Sequence, residues 1–97
     1  MHIFICMYEW DPAKEKQNIE KHDVSFDEAK LAFHDKSRLI FEDEEHSQEE
    51  MRWFCLGKVG DDVMTVRFTM RGKKIRIIGA AYWRKGRTIY ENETRKH

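Results

Sequence analysis

Two arginines, Arg67 and Arg76, stand in consecutive runs of alternating apolar residues, Val63 to Met70 and Lys73 to Ala81. A guanidinium is planar, always charged and able to donate two parallel hydrogen bonds, so these are the best candidates in the chain for clamping a phosphate. Arg52 lies in a third such run, Met51 to Val59, and Lys74 adds a further cation beside Arg76. His46 and Glu50, just before the third run, are the candidates for moving protons. A structural reading of the same residues stays open, with His46 capping a turn and Glu50 paired to a sheet arginine. A second group, Tyr82, Trp83, Arg84, Lys85, Arg87 and Tyr90, interleaves aromatic rings with cations, as a surface that stacks unpaired bases would. Its alternative is a packed C-terminal segment with solvated charges.

Charge is distributed in the same sense. Residues 1–60 hold 8 Lys and Arg against 14 Asp and Glu, whereas residues 61–97 hold 10 against 4, so a formal net charge of zero conceals segments of -6 and +6. The basic segment weaves its charges into strands, which points to an anionic ligand. His22 and His34 follow helical stretches, where a cation at the C-terminal end is favourable, and their spacing from His46 fits no metal motif. No metal and no cofactor are expected. Cys6 and Cys55 form no CxxC pair and read as reduced thiols. The apolar start from Met1 to Met7 is too short to span a bilayer and lacks the features of a signal peptide. A cytoplasmic location without membrane contact is expected.

Ninety-seven residues with 12% aromatic content suffice for one domain, residues 1–97, built on a single core. Ile3 to Trp10 reads as a strand, and Asp11-Pro12 as the N-cap and first residue of a helix running to about Lys21. Asp23 sits where a left-handed C-cap prefers Gly. Ser25-x-x-Glu28 is a capping box for a second helix to about His34, with Val24 placed to staple onto Ala29. Strands follow at Arg38 to Glu42 and in the three runs above, with an acidic loop from Asp43 to Glu50 and a turn at Gly60-Asp61-Asp62. Arg84 to Asn92 is a possible terminal helix, weakened by Gly86. The order β-α-α-β-β-β-β predicts an α+β domain: an antiparallel twisted sheet of four or five strands with two N-terminal helices packed on one face.

A two-residue loop at Arg71-Gly72 would place Phe68 opposite Ile75 and Arg67 opposite Arg76. Like charges facing each other destabilise a sheet. Either carboxylates from elsewhere neutralise the two arginines, or they are held for an external anion.

Tyr8-Glu9-Trp10-Asp11-Pro12-Ala13-Lys14, Asn18 and Lys21-His22-Asp23-Val24-Ser25-Phe26-Asp27-Glu28-Ala29 open a series of motifs. It continues with Glu42-Asp43, His46-Ser47, Glu50, Arg52, Gly57, Val66-Arg67-Phe68-Thr69 and Ile75-Arg76-Ile77-Ile78. From about Tyr8 to Glu91 the chain resembles the BrnT toxins of bacterial type II toxin-antitoxin systems. That resemblance implies a RelE-like fold and a ribonuclease that inhibits translation. It further implies a BrnA-like antitoxin with a ribbon-helix-helix domain, assembled as a heterotetramer with two copies of each chain, which contacts operator DNA through the antitoxin and represses its own operon. Metal-free RNA cleavage needs a base for the 2′-hydroxyl, cations for the phosphorane and an acid for the leaving 5′-oxygen. Arg67, Arg76, Arg52, His46 and Glu50 become the catalytic candidates, and Lys74, Tyr82, Trp83, Arg84, Lys85 and Arg87 the RNA-binding ones. Two departures stand out: Asp23 replaces a usual Gly, and Gly79-Ala80-Ala81 replaces Ser-Ala-Arg, removing one cation. A rival reading is a non-catalytic interaction module, or a degenerate toxin, that acts with its partner in DNA binding.

Overall fold

A computed structural model describes residues 7–95. In chain order the elements are β1 (Met7–Glu9), α1 (Pro12–His22), α2 (Phe26–Ala29), which continues as a 3-10 turn over Lys30–His34, β2 (Leu39–Glu42), a 3-10 turn at Glu44–His46, β3 (Arg52–Val59), β4 (Asp62–Arg71), β5 (Lys74–Ala81) and α3 (Arg84–Arg95). The remainder of the expected first strand, with Cys6, lies outside the described residues.

The helix ends follow their local chemistry. Asp11 accepts the Ala13 N–H at 2.9 Å ahead of Pro12, and Asp23 closes α1 at φ 57° and ψ 36° while donating its N–H to Ile19 O. Asp thus supplies the left-handed cap at a steric cost that Gly would avoid. Ser25 accepts the Glu28 N–H at 3.1 Å, but only half of the capping box forms. The Glu28 carboxylate turns instead to the Tyr82 hydroxyl. Asn18, buried on α1, donates to the carbonyls of Val24 and Ala80 at 2.9 and 2.8 Å and accepts the Ala80 N–H at 3.1 Å. One amide thereby ties helix, loop and sheet together and satisfies backbone groups that burial would otherwise leave orphaned.

The sheet order is β1-β5-β4-β3-β2. Strands β2 to β5 form the expected antiparallel meander, but β1 runs parallel to β5, with Tyr8 opposite Ile75 and Glu9 opposite Arg76. The sheet is therefore mixed. The correction has a simple cause, since α1 and α2 are long enough to carry the chain from β1 across one face to the far edge, which a tight hairpin is not.

On that face Val24, Phe26, Ala29, Ala32 and Phe33 bury against Cys55, Met64, Val66, Phe68, Ile75 and Ile77. Burial pushes the Cys55 thiol up to about 12, so it is inert packing. Gly57 permits the close approach, because a Cβ there would lie 2.1 Å from the Ala32 carbonyl oxygen. The C-terminal helix α3, to which the sequence assigned no face, packs on the other side, where Leu56, Val63 and Tyr90 form a second cluster with Leu39 and Ile89. Gly86, which argues against a helix by propensity, is where α3 crosses β4; a Cβ would meet Thr65 Oγ1 at 2.1 Å.

The hairpin register also differs from expectation. Arg71 pairs with Lys74, so the loop is Gly72-Lys73, and Phe68 faces Ile77. A bulge between Arg67 and Phe68 then sets Arg67 opposite Gly79, while Arg76 faces Thr69. A shift by two residues keeps every apolar side chain on its face, which is why patterning alone did not determine it.

Candidate functional site

Because α3 covers only part of its face, the same side of the sheet stays open beyond it. Alternation along β3 and β4 places Arg52, Phe54, Arg67, Thr69 and Arg71 on the side of Leu56 and Thr65, beneath and beyond the helix. The acidic loop folds onto this open part. Ser47 pins it, accepting the Arg52 N–H at 2.9 Å and donating to Asp43 O at 2.7 Å, while the Asp43 N–H reaches Arg52 O at 2.7 Å. Thr69 Oγ1 holds the loop's end by donating to Met51 O at 2.6 Å.

Three side chains meet there. His46 Nδ1 lies 2.9 Å from Asp43 Oδ2 and 2.8 Å from Arg67 Nη2, and Arg67 reaches Asp43 Oδ2 at 3.4 Å. Arg67 also lies over the Phe54 ring, 5.9 Å from its centroid. Asp43 is 4% exposed. Burial opposes its ionisation, but the hydrogen bonds and charges of His46 and Arg67 outweigh it and hold the carboxyl below its ordinary 3.8. Arginine can only donate, so the two contacts of Nδ1 are alternatives set by the ring proton. With the proton on Nε2, Nδ1 accepts from Arg67. With the proton on Nδ1, the ring donates to Asp43 and Nε2 keeps a free lone pair on a half-exposed side chain.

The remaining sequence candidates separate. Arg76 does not face Arg67; its guanidinium is bound at 2.6 Å by Glu9 of β1, which also lies 3.9 Å from Lys74. Glu50 pairs with Arg71 at 3.3 Å. Arg67 and Arg76 thus each have a carboxylate partner within the chain, and Glu50 has a sheet arginine. Arg52 has no ion pair among the described residues, and its buried Nε has no hydrogen-bond partner.

Of the aromatic and basic C-terminal set, Trp83, Arg84 and Lys85 line a groove of about 620 Å³ with Phe41, Phe54 and Ile89, which reaches the site through Phe54. Tyr82 is held by Glu28, Arg87 by Asp62 and Glu91, and Trp83 packs edge-on against His22 at 5.7 Å. Tyr90 is buried, donating its hydroxyl to Asp35 at 2.5 Å, so it is no base platform. Ala81 is 3% exposed and paired to Thr65 under the start of α3. Asp43, Phe41 and Phe54 were not among the sequence candidates. The signal for Asp43 was its place three residues before His46, and for the two phenylalanines their alternation with core residues.

Among the described residues no cluster of three or more His, Cys, Asp or Glu side chains is arranged to hold a metal ion, and no helix is long and apolar enough to cross a membrane. No curated protein matches the chain. A family model described as the ribonuclease toxin BrnT of type II toxin-antitoxin systems matches residues 10–86, a span that holds every residue of the Asp43, His46 and Arg67 cluster, Arg52 and the Asn18 tether. The chain belongs to the BrnT family of ribonuclease toxins.

Proposed function

We propose that this chain is a RelE-like, metal-independent endoribonuclease that cuts RNA to inhibit translation in the cytoplasm. A BrnA-like antitoxin with a ribbon-helix-helix domain neutralises it, and the heterotetramer of two copies of each chain contacts operator DNA through that antitoxin. The whole chain acts as one toxin domain. The observation that carries the catalytic reading is the contact of His46 with both Asp43 and Arg67 on the open part of the sheet.

The chemistry follows from that contact. With its proton on Nδ1 and held by Asp43, His46 offers Nε2 as the base that takes the 2′-hydroxyl proton. The 2′-oxygen attacks phosphorus, the P–O5′ bond breaks, and the leaving 5′-oxygen takes a proton from the imidazolium or water. A 2′,3′-cyclic phosphate and a 5′-hydroxyl result. In this tautomer Nδ1 no longer accepts from Arg67, so the Arg67 guanidinium is released toward the phosphate, and it and Arg52, which has no ion pair among the described residues, stabilise the phosphorane. Trp83, Arg84 and Lys85 guide the strand along the groove toward Phe54. Arg76, Glu50, Lys74, Tyr82 and Arg87 act at one remove, through the ion pairs and contacts that shape the surface.

The rival, a non-catalytic module that binds its partner, draws on one observation: Arg67, Arg71 and Arg76 all have carboxylate partners within the chain. Product ends separate the two. In EDTA the purified chain should release fragments with 2′,3′-cyclic phosphate ends and leave an oligonucleotide with a single 2′-deoxy substitution at the scissile position uncut. Cleavage of the 2′-deoxy substrate would rule out this mechanism, and no cleavage of any RNA would favour the module.

A further inference from the structure

Strand β2 is one of the two edges of the sheet, and it is poorly defended. Its outer side carries no strand among the described residues. Edge strands are usually protected by charge, proline or a bulge, yet here Ile40 is 50% and Phe41 38% exposed, on opposite faces. The backbone groups available for pairing follow from the loop. Asp43 turns its N–H toward β3, so by alternation Phe41 and Leu39 do the same, and Ile40 and Glu42 direct theirs outward.

The sequence around this edge is its own complement. Arg38-Leu39-Ile40-Phe41-Glu42 reads positive, three apolar, negative, so an antiparallel copy centred on Ile40 sets Arg38 against Glu42 at both ends. Leu39 then faces Phe41 on one side of the sheet, and Ile40 faces Ile40 on the other. Both charged residues are exposed. The Arg38 guanidinium and backbone N–H both donate to Asp35 O, at 3.2 and 3.1 Å, leaving its carbonyl for pairing, and Glu42 has no ion pair among the described residues.

We propose that two copies of this chain pair through their β2 edges, antiparallel and centred on Ile40, to form one continuous ten-stranded sheet (~2 × the five strands of each copy). The two Ile40 residues exchange N–H to C=O bonds, and each Glu42 N–H reaches the Arg38 carbonyl of the other copy. The two-fold axis stands perpendicular to the sheet, so both copies present Phe41, Phe54 and Arg67 on the same side. The pairing is independent of the cleavage chemistry. It commits to a second copy as the occupant because the charge pattern is self-complementary; a different protein strand would need no such symmetry.

The test is the sedimentation-equilibrium mass of the full chain, made by cell-free synthesis without any partner, as wild type, Arg38→Glu, Glu42→Arg, the double exchange and Ile40→Lys. The wild type should show twice the 11.8 kDa of one chain. Each single reversal sets like charges face to face twice and should weaken pairing by more than about tenfold. Ile40→Lys should be monomeric, and the double exchange should restore the dimer, with circular dichroism unchanged throughout. A wild type that stays monomeric at every concentration overturns the proposal. So does a dimer that survives both single reversals and Ile40→Lys. If the wild type is dimeric but the double exchange stays monomeric like the single variants, Arg38 does not face Glu42 across the pair, and the antiparallel arrangement centred on Ile40 is overturned.

Discussion

Asp43 is the residue on which the site turns, because it is buried, ionised and shared between His46 and Arg67. The sequence displays it as one acid in an acidic loop, and nothing in composition separates it from Glu44 or Glu45. What distinguishes it is the backbone: its N–H and carbonyl are held by Arg52 and Ser47, which turns its side chain inward. His46 and Arg67 were legible as chemistry-bearing residues, but their contact was not, because it depends on how a loop folds over a strand more than 20 positions away in sequence. Asp35 is held in a similar way, with burial opposing ionisation and the bonds from Tyr90, Lys58 and Ser37 overcoming it. For both acids the folded value lies below the unfolded one, so their stabilisation is present above about pH 4 and is lost as pH falls below it. Asp43→Asn should lower the melting temperature at neutral pH and flatten the acid limb of the stability profile. An unchanged acid limb would mean that Asp43 is not held ionised by its neighbours. At the alkaline end Tyr90, pushed up to about 12 by burial and by the Asp35 carboxylate, contributes stability below its ordinary 10 that is lost as pH rises from there toward 12.

At the scale of elements, the strands and first helix were legible because their signals are local: alternation for β3 to β5, and Asp11-Pro12 for α1. Two features depended on tertiary packing instead. The parallel pairing of β1 follows from where α1 leads the chain, and the register of β4 with β5 from a bulge at Arg67/Phe68 that alternation cannot show. Gly86 shows the same conflict in one residue. Propensity favours Ala there by about 1 kcal/mol, whereas the crossing of α3 over Thr65 leaves no room for a Cβ. Overpacking of this kind costs about 1 to 3 kcal/mol, so packing wins. Gly86→Ala should lower the melting temperature by several degrees, and a variant that melts at or above the wild-type temperature would show that α3 does not seat on β4 in this way.

Across the whole molecule, the division into -6 and +6 segments has a different meaning from the one its sequence suggests. Glu9, Asp43 and Glu50 of the acidic segment bind Arg76, Arg67 and Arg71 of the basic one. Much of the apparent anion-binding charge is thus neutralised within the fold, leaving Arg52, Arg84, Lys85 and the unshared donors of Arg67 to meet a ligand. RNA affinity should therefore depend on salt moderately rather than steeply. Two to four phosphate contacts on a single strand correspond to a log-log slope of about -1.4 to -2.8. A flat response would remove phosphate contact from the picture, and a far steeper one would mean that the internal ion pairs open to bind RNA.

If Asp43, His46 and Arg67 form the catalytic site, losing His46 or Arg67 must slow RNA cleavage itself. The measurement is single-turnover cleavage of a defined RNA in EDTA by the wild type, His46→Ala and Arg67→Gln, with thermal melting recorded on the same samples. His46→Ala should slow cleavage by about 100-fold or more and lower the melting temperature by a few degrees, as expected for loss of a positioned base that is also a hydrogen-bond partner of buried Asp43. Arg67→Gln should slow it by about 100- to 1000-fold and also lower the melting temperature, since Asp43 loses a partner. Wild-type cleavage by either variant, with its fold intact, would contradict the claim and place the chemistry elsewhere on the molecule.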